Sequence, residues 1–185
     1  GLTVTDEVKT NKISPATGTA FALGDSGDTF TVPSGATIVN SGTATGFGGG
    51  KILQAVSATD TTERSTTSAT FVTGSNTLSV DITPSATSSK IFVIVSTSCY
   101  NGTASKAVYL TIYRDASNLG NSNGFVRALN SAGGAGGSGA SASILDSPST
   151  TSAITYQAYL RADSGSTAYL NANSSGFITA FEVAG

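Results

Sequence analysis

Eleven carboxylates, one thiol and no imidazole make up the reactive repertoire of this 185-residue chain. The lack of histidine excludes imidazole acid–base work, Cys–His nucleophiles and zinc-finger ligand sets, and a lone cysteine, Cys99, excludes an intrachain disulfide. Paired carboxylates are the one catalytic route left, because glycoside hydrolysis uses two of them and no histidine. The acids are Asp6, Glu7, Asp25, Asp28, Asp60, Glu63, Asp81, Asp115, Asp146, Asp163 and Glu182. They form no recognisable catalytic pair. Most stand at turn signals, where Asp bonds its own backbone, and tryptophan, a common platform in sugar-cleaving clefts, is missing. Catalysis is therefore not expected, and no cofactor or metal is assigned. Asp25 and Asp28 in Gly-Asp-Ser-Gly-Asp have the oxygen-donor spacing of a calcium loop, but a plain turn is the preferred reading.

Three further positions have a side-chain role to weigh. Cys99 ends an apolar run and is expected to pack as a small hydrophobe. Glu182 shares a strand face with Ile178 and Ala180, which implies either a cationic partner on a neighbouring strand or subunit, or an exposed edge. Tyrosine, at Tyr100, Tyr109, Tyr113, Tyr156, Tyr159 and Tyr169, accompanies Ser, Asn and Gly, the low-entropy vocabulary of recognition surfaces. Tyr100 with Asn101, Tyr159 in opposite phase to Tyr156, and Asn118 and Asn121 are the candidate receptor contacts; a core or subunit-interface role is the competing reading for each tyrosine. A net charge of −2 with the 9 basic residues scattered gives no footprint for nucleic acid. No apolar run reaches the length of a membrane-spanning helix and no signal-peptide pattern opens the chain, so membrane insertion is not expected. Gly1 at the start points to a distal piece of a longer polypeptide.

The elements that must position these residues are strands. With 28 Ser, 28 Thr and 22 Gly against 20 charged residues, the composition suits pleated surfaces and tight turns and disfavours long helices. Residues 1–50 form one region. There, Phe30 and Val32 share a strand face, Pro33-Ser34-Gly35 and Asn40-Ser41-Gly42 turn the chain, and Ile38 sits on the next strand. Strands this short bury too little alone, so the segment reads as a slice of an intertwined β-shaft completed by neighbouring chains. Gly46-Phe47-Gly48-Gly49-Gly50 is the hinge.

From residue 51 to 185 the pattern is that of a β-sandwich head. The expected strands are 51–58, 67–72, 77–83, 90–99, 106–114, 124–129, 143–146, 153–161, 166–172 and 176–183. Leu78, Val80 and Ile82 alternate inward, as do Val108, Leu110 and Ile112, and Ile154, Tyr156, Ala158 and Leu160. Ile91 to Val95 is apolar throughout, which predicts cover on both faces or contact with a partner subunit. Residues 131–142, all Ser, Ala and Gly, are expected to form a mobile exposed loop, and the last three strands a meander.

The stretch Gly27-Asp28-Thr29-Phe30-Thr31-Val32-Pro33-Ser34-Gly35 through Gly46, the glycine hinge, and a β-rich head ending Gly176-Phe177-Ile178-Thr179-Ala180-Phe181-Glu182-Val183 together resemble the distal part of tail fibres of marine bacteriophages. The head is also similar in size and strand spacing to the trimeric jelly roll of the tumour necrosis factor and complement globular-head superfamily. These resemblances imply a homotrimeric, non-catalytic adhesin on the virion, joined to upstream tail-fibre segments or other virion proteins and binding a host-surface glycan or protein. They also imply that Lys51 to Val56 lies beside Gly176 to Val183. The loops 100–105, 115–123 and 131–142 are the expected contact surface at the distal end. A structural virion protein, such as a capsid decoration or fibre spacer, and a polysaccharide depolymerase are the alternatives.

Overall fold

A computed structural model describes residues 51–131 and 134–185, together with 26–27, 29, 31–37 and 39. The chain divides into two compact units, Gly1–Thr45 and Gly46–Gly185. In the first unit the described residues are all exposed, and none lies in a strand. The predicted turn is present: the Ala36 N–H donates to the Pro33 carbonyl at 3.1 Å, and Gly35 takes φ +85°, a conformation that a side chain would resist. Phe30, Ile38, the Asn40–Gly42 turn, the Asp25/Asp28 pair and the glycine hinge lie outside the described residues, as does the rest of the expected shaft.

The head is an all-β sandwich of two antiparallel sheets. The first contains β1 (Ile52–Asp60), β2 (Arg64–Thr66), β4 (Lys90–Asn101), β8 (Gly136–Asp146), β10 (Ala168–Leu170) and β11 (Gly176–Val183). The second contains β3 (Ser79–Ile82), β5 (Ala107–Arg114), β6 (Ser117–Asn118), β7 (Val126–Leu129) and β9 (Ile154–Ala162). Among the longer strands the order is β1-β11-β4-β8 facing β3-β9-β5-β7, so the chain keeps crossing from one sheet to the other. That connection order is compatible with a jelly roll. The first and last strands are neighbours, from Ile52 opposite Val183 to Asp60 opposite Gly176, as the resemblance implied.

Alternation explains the core. Leu78, Val80 and Ile82, Val108, Leu110 and Ile112, and Ile154, Tyr156, Ala158 and Leu160 are all buried between the sheets, with Cys99 among them. On β4 the odd positions Ile91, Val93 and Val95 are fully buried, while Phe92 and Ile94 are half-buried on the outer face. Among the described residues no helix is long and apolar enough to cross a membrane.

Three expectations about elements are corrected. Residues 67–72 are not a strand: the Ser68 N–H bonds Thr66 Oγ1 and the Thr70 N–H bonds Ser68 Oγ, so local hydroxyl turns replace the ladder and strand pairing falls on Arg64–Thr66 instead. The small-residue stretch is largely strand. From Gly136 it pairs with β4 as far as Asn101, and its alanines Ala140 and Ala142 turn inward and close the core. Its lack of side chains is what permits the approach, since a Cβ on Gly137 would sit 2.7 Å from the Cys99 carbonyl oxygen. The last three strands are not a meander, because β9 belongs to the second sheet while β10 pairs with β2 and β4.

Candidate functional site

Period-two geometry puts Tyr109, Thr111 and Tyr113 of β5 on the outer face of the second sheet, with Thr155, Gln157, Tyr159 and Arg161 of β9 beside them. Register then pairs them: Thr111 faces Tyr159, and Tyr109 is flanked by Arg161 on β9 and Arg127 on β7. The rings of Tyr113 and Tyr159 stack at 3.9 Å between centroids and 20° between planes. The Arg161 guanidinium carbon lies 3.6 Å from the Tyr109 ring centroid and 5.4 Å from that of Phe71. Such placement of a planar cation over rings is attractive and costs little of the cation's hydrogen-bonding capacity.

A chain of polar contacts fixes this row. The Tyr109 hydroxyl donates to Asp163 Oδ1 (3.0 Å) and accepts from Arg127 Nε (3.2 Å), a contact that holds the Arg127 guanidinium above its ordinary pKa. The second oxygen of Asp163 accepts the Ala107 N–H at 2.8 Å, so both carboxylate oxygens are taken. Arg161 donates from Nη2 to Asn123 Oδ1 at 2.9 Å. Among the described residues the ion pairs are Arg64 with Asp60 and Arg114 with Asp146, so neither Arg127 nor Arg161 has a carboxylate partner.

The candidate contacts divide between the two sheets. Tyr159, Asn118 and Asn121 belong to the outer face of the second sheet. Asn118 Oδ1 accepts from Thr111 Oγ1 (2.7 Å) and the Gly120 N–H, and Asn121 Oδ1 accepts the Asn123 N–H, which folds the 119–124 excursion against β5. Tyr100 lies on the outer face of the first sheet, edge-on to Tyr169 at 5.4 Å. Asn101 is corrected. It is 1 % exposed, donates to Ala107 O and Ser166 Oγ and accepts the Thr103 N–H, so it ties loops together and presents nothing outward. The loop 100–105 meets Asn130, which also donates to the Gly134 carbonyl, at the end of the sandwich opposite Lys51, whereas Asp115 bonds Thr155 at the Lys51 end. The residues that sequence reading missed are Arg127, Arg161 and Phe71, while Tyr109 was named among the tyrosines but not chosen as a contact. The scattered cations are in part gathered by register, and the available signal was the shared phase of Tyr159 with Arg161 and of Tyr109 with Tyr113.

Other polar clusters hold the fold. Asp146 takes both contacts from Arg114 Nη1 (2.8 and 3.0 Å) and the hydroxyl of fully buried Tyr156 (2.6 Å), where burial and the carboxylate push the phenol far up. Glu182 is corrected as to the exposed edge: it is 1 % exposed, and among the described residues no Arg or Lys pairs with it. Its carboxylate accepts from the Ser85 N–H and hydroxyl and from Gln54 Nε2, each at 2.6 Å. Burial opposes the charge, but these donors outweigh it and hold the carboxyl down at about 2. Burial raises the Cys99 thiol to about 12, in keeping with a packing role. Among the described residues no group of three or more His, Cys, Asp or Glu could hold a metal. No protein-family model matches the chain, and no curated protein matches it.

Proposed function

We propose that the chain is the homotrimeric receptor-binding tip of a bacteriophage tail fibre, an adhesin that holds a host-surface glycan or protein without chemistry. The observation that carries the reading is the contrast between the two outer faces of the sandwich. On the first sheet, register lines up Ala55, Phe181, Phe92 and Leu145 in one row, with Ile94 in the next among Ser57, Thr179 and Ser143, and Phe177 in the one after that among Thr59, Ser96 and Ser141. Leu145 is 52 % and Phe177 45 % exposed, and an outer face carrying this row of large apolar side chains is one that further copies of the chain would cover. The second sheet's outer face also exposes Phe125 and Leu129, but sets them beside stacked rings and hydrogen-bonding side chains, the materials of sugar and protein recognition. Packing the first faces together leaves three second faces outward, and tethered weak sites gain strength through effective concentration. Six of the seven described acids support binding over turnover: Asp60, Asp81, Asp115, Asp146, Asp163 and Glu182 are each engaged in hydrogen bonds that hold the fold, and the seventh, Glu63, stands exposed.

The test is titration of the purified chain onto host cells and a glycan surface, with the polymer recovered afterwards. Saturable attachment with the polymer intact is expected. Release of shortened saccharide would make the protein a depolymerase, and failure to attach to any cell surface would leave a structural spacer.

A further inference from the structure

The adhesin reading leaves open what kind of group the outer face accepts, and the Arg127–Tyr109–Arg161 row bears on that. Register sets two guanidiniums either side of one tyrosine, and neither meets a carboxylate among the described residues. Among the described residues the acid in contact with the row is Asp163, whose two oxygens each accept one hydrogen bond, from the Ala107 N–H and the Tyr109 hydroxyl. Each guanidinium is nevertheless held in place, Arg161 by the Tyr109 face and Asn123, Arg127 by the Tyr109 oxygen. Arg127 spends its Nε–H on that oxygen, which leaves its Nη pair directed elsewhere, and Arg161 spends one N–H on Asn123. Two adjacent cations, pre-oriented and set against the single carboxylate of Asp163, which meets Arg127 only through the Tyr109 hydroxyl, form a receptor for an oxyanion, because the planar fork matches carboxylate or sulfate oxygens. A neutral sugar would instead call for carboxylate and amide partners. Phe125, 36 % exposed and in phase with Arg127 on the same stretch of chain, gives a sugar ring an apolar surface.

We propose that this row binds the oxyanion of an acidic saccharide, a carboxylate or sulfate ester carried on a sugar ring that rests against Phe125. The inference rests on the adhesin reading and names the class of its ligand. Nucleic acid is disfavoured by the net charge of −2 and the shortness of the basic row.

Electrophoresis of the full chain through gels containing polygalacturonate, dextran sulfate or neutral dextran tests it. Retardation by an acidic polymer and none by dextran is expected; polygalacturonate alone would assign the carboxylate, dextran sulfate alone the sulfate ester. Arg127→Gln, at an exposed position where the fold tolerates the change, should weaken retardation at least fivefold. Arg161→Lys, which keeps the charge and loses the fork, should weaken it as well, while Lys51→Gln should not. Equal loss in Lys51→Gln would reduce the effect to general charge and overturn the site. Attachment to cells with no retardation by either acidic polymer would overturn this inference and leave the adhesin reading standing. Retardation without any cell attachment would sink the adhesin reading and keep the site.

Discussion

Glu182 shows how a single side chain can be read correctly as unusual and wrongly as to partner. An acid in phase with Ile178 and Ala180 implies either a cationic partner or an exposed edge. Instead β11 brings it to Ser85 and Gln54, residues 97 and 128 positions away in the chain, which no local pattern reveals. A carboxyl held near 2 against an ordinary 4.5 stabilises the fold fully above pH 4.5, and that contribution is lost as pH falls toward 2. Glu182→Gln sets an amide against the donors of Ser85 and Gln54, and we expect a loss of about 2 kcal/mol at neutral pH, the scale of hydrogen bonds to a charged group. Urea unfolding across the acid range should show a shallower decline in the variant than in the wild type; parallel curves would remove Glu182 from the acid response. Asn101 was misjudged for a related reason: beside Gly102 it resembles a loop tip, yet its amide is the tie between Ala107 and Ser166.

The inward-facing strands were legible because period-two alternation belongs to the chain itself, as in Leu78, Val80 and Ile82. β8 was half-legible. Residues 143–146 carry apolar side chains and were found; 136–142 carry almost none, and they become strand only because the long edge of β4 is there to pair with. Its glycines separate by position rather than by type. A Cβ at Gly137 meets the Cys99 carbonyl at 2.7 Å, while one at Gly139 meets nothing within 4 Å. Gly137→Ala should therefore lower head stability by about 1–2 kcal/mol through forced movement of β4. Gly139→Ala should hold or raise it by up to about 1 kcal/mol, as relief of glycine's entropy in a strand. Thermal unfolding of the two variants side by side checks the sign, and equal destabilisation would contradict the pairing of β8 with β4. Which strands become neighbours was the part that alternation did not carry, and the arginine row depends on that alone.

At the scale of the molecule, the apolar outer face of the first sheet sets the expected state of assembly. Three copies of an 18.3 kDa chain give a particle of about 55 kDa, to be read by light scattering. Ile94→Lys puts a charge in the middle of that face while the inward residues Val93 and Val95 stay as they are. It should yield a folded particle of one-third the mass, with unchanged far-ultraviolet dichroism; a wild-type monomer would refute the trimer. The pairing of β1 with β11 matters mechanically. A pull at Lys51 along the strand loads the ladder between Gln54 and Asp60 in shear, so its bonds share the force rather than opening one after another. The Ala184 N–H clasp on the Lys51 carbonyl lies at the loaded end, so an anchored particle tugged through this residue would resist stretching where the chain enters the head.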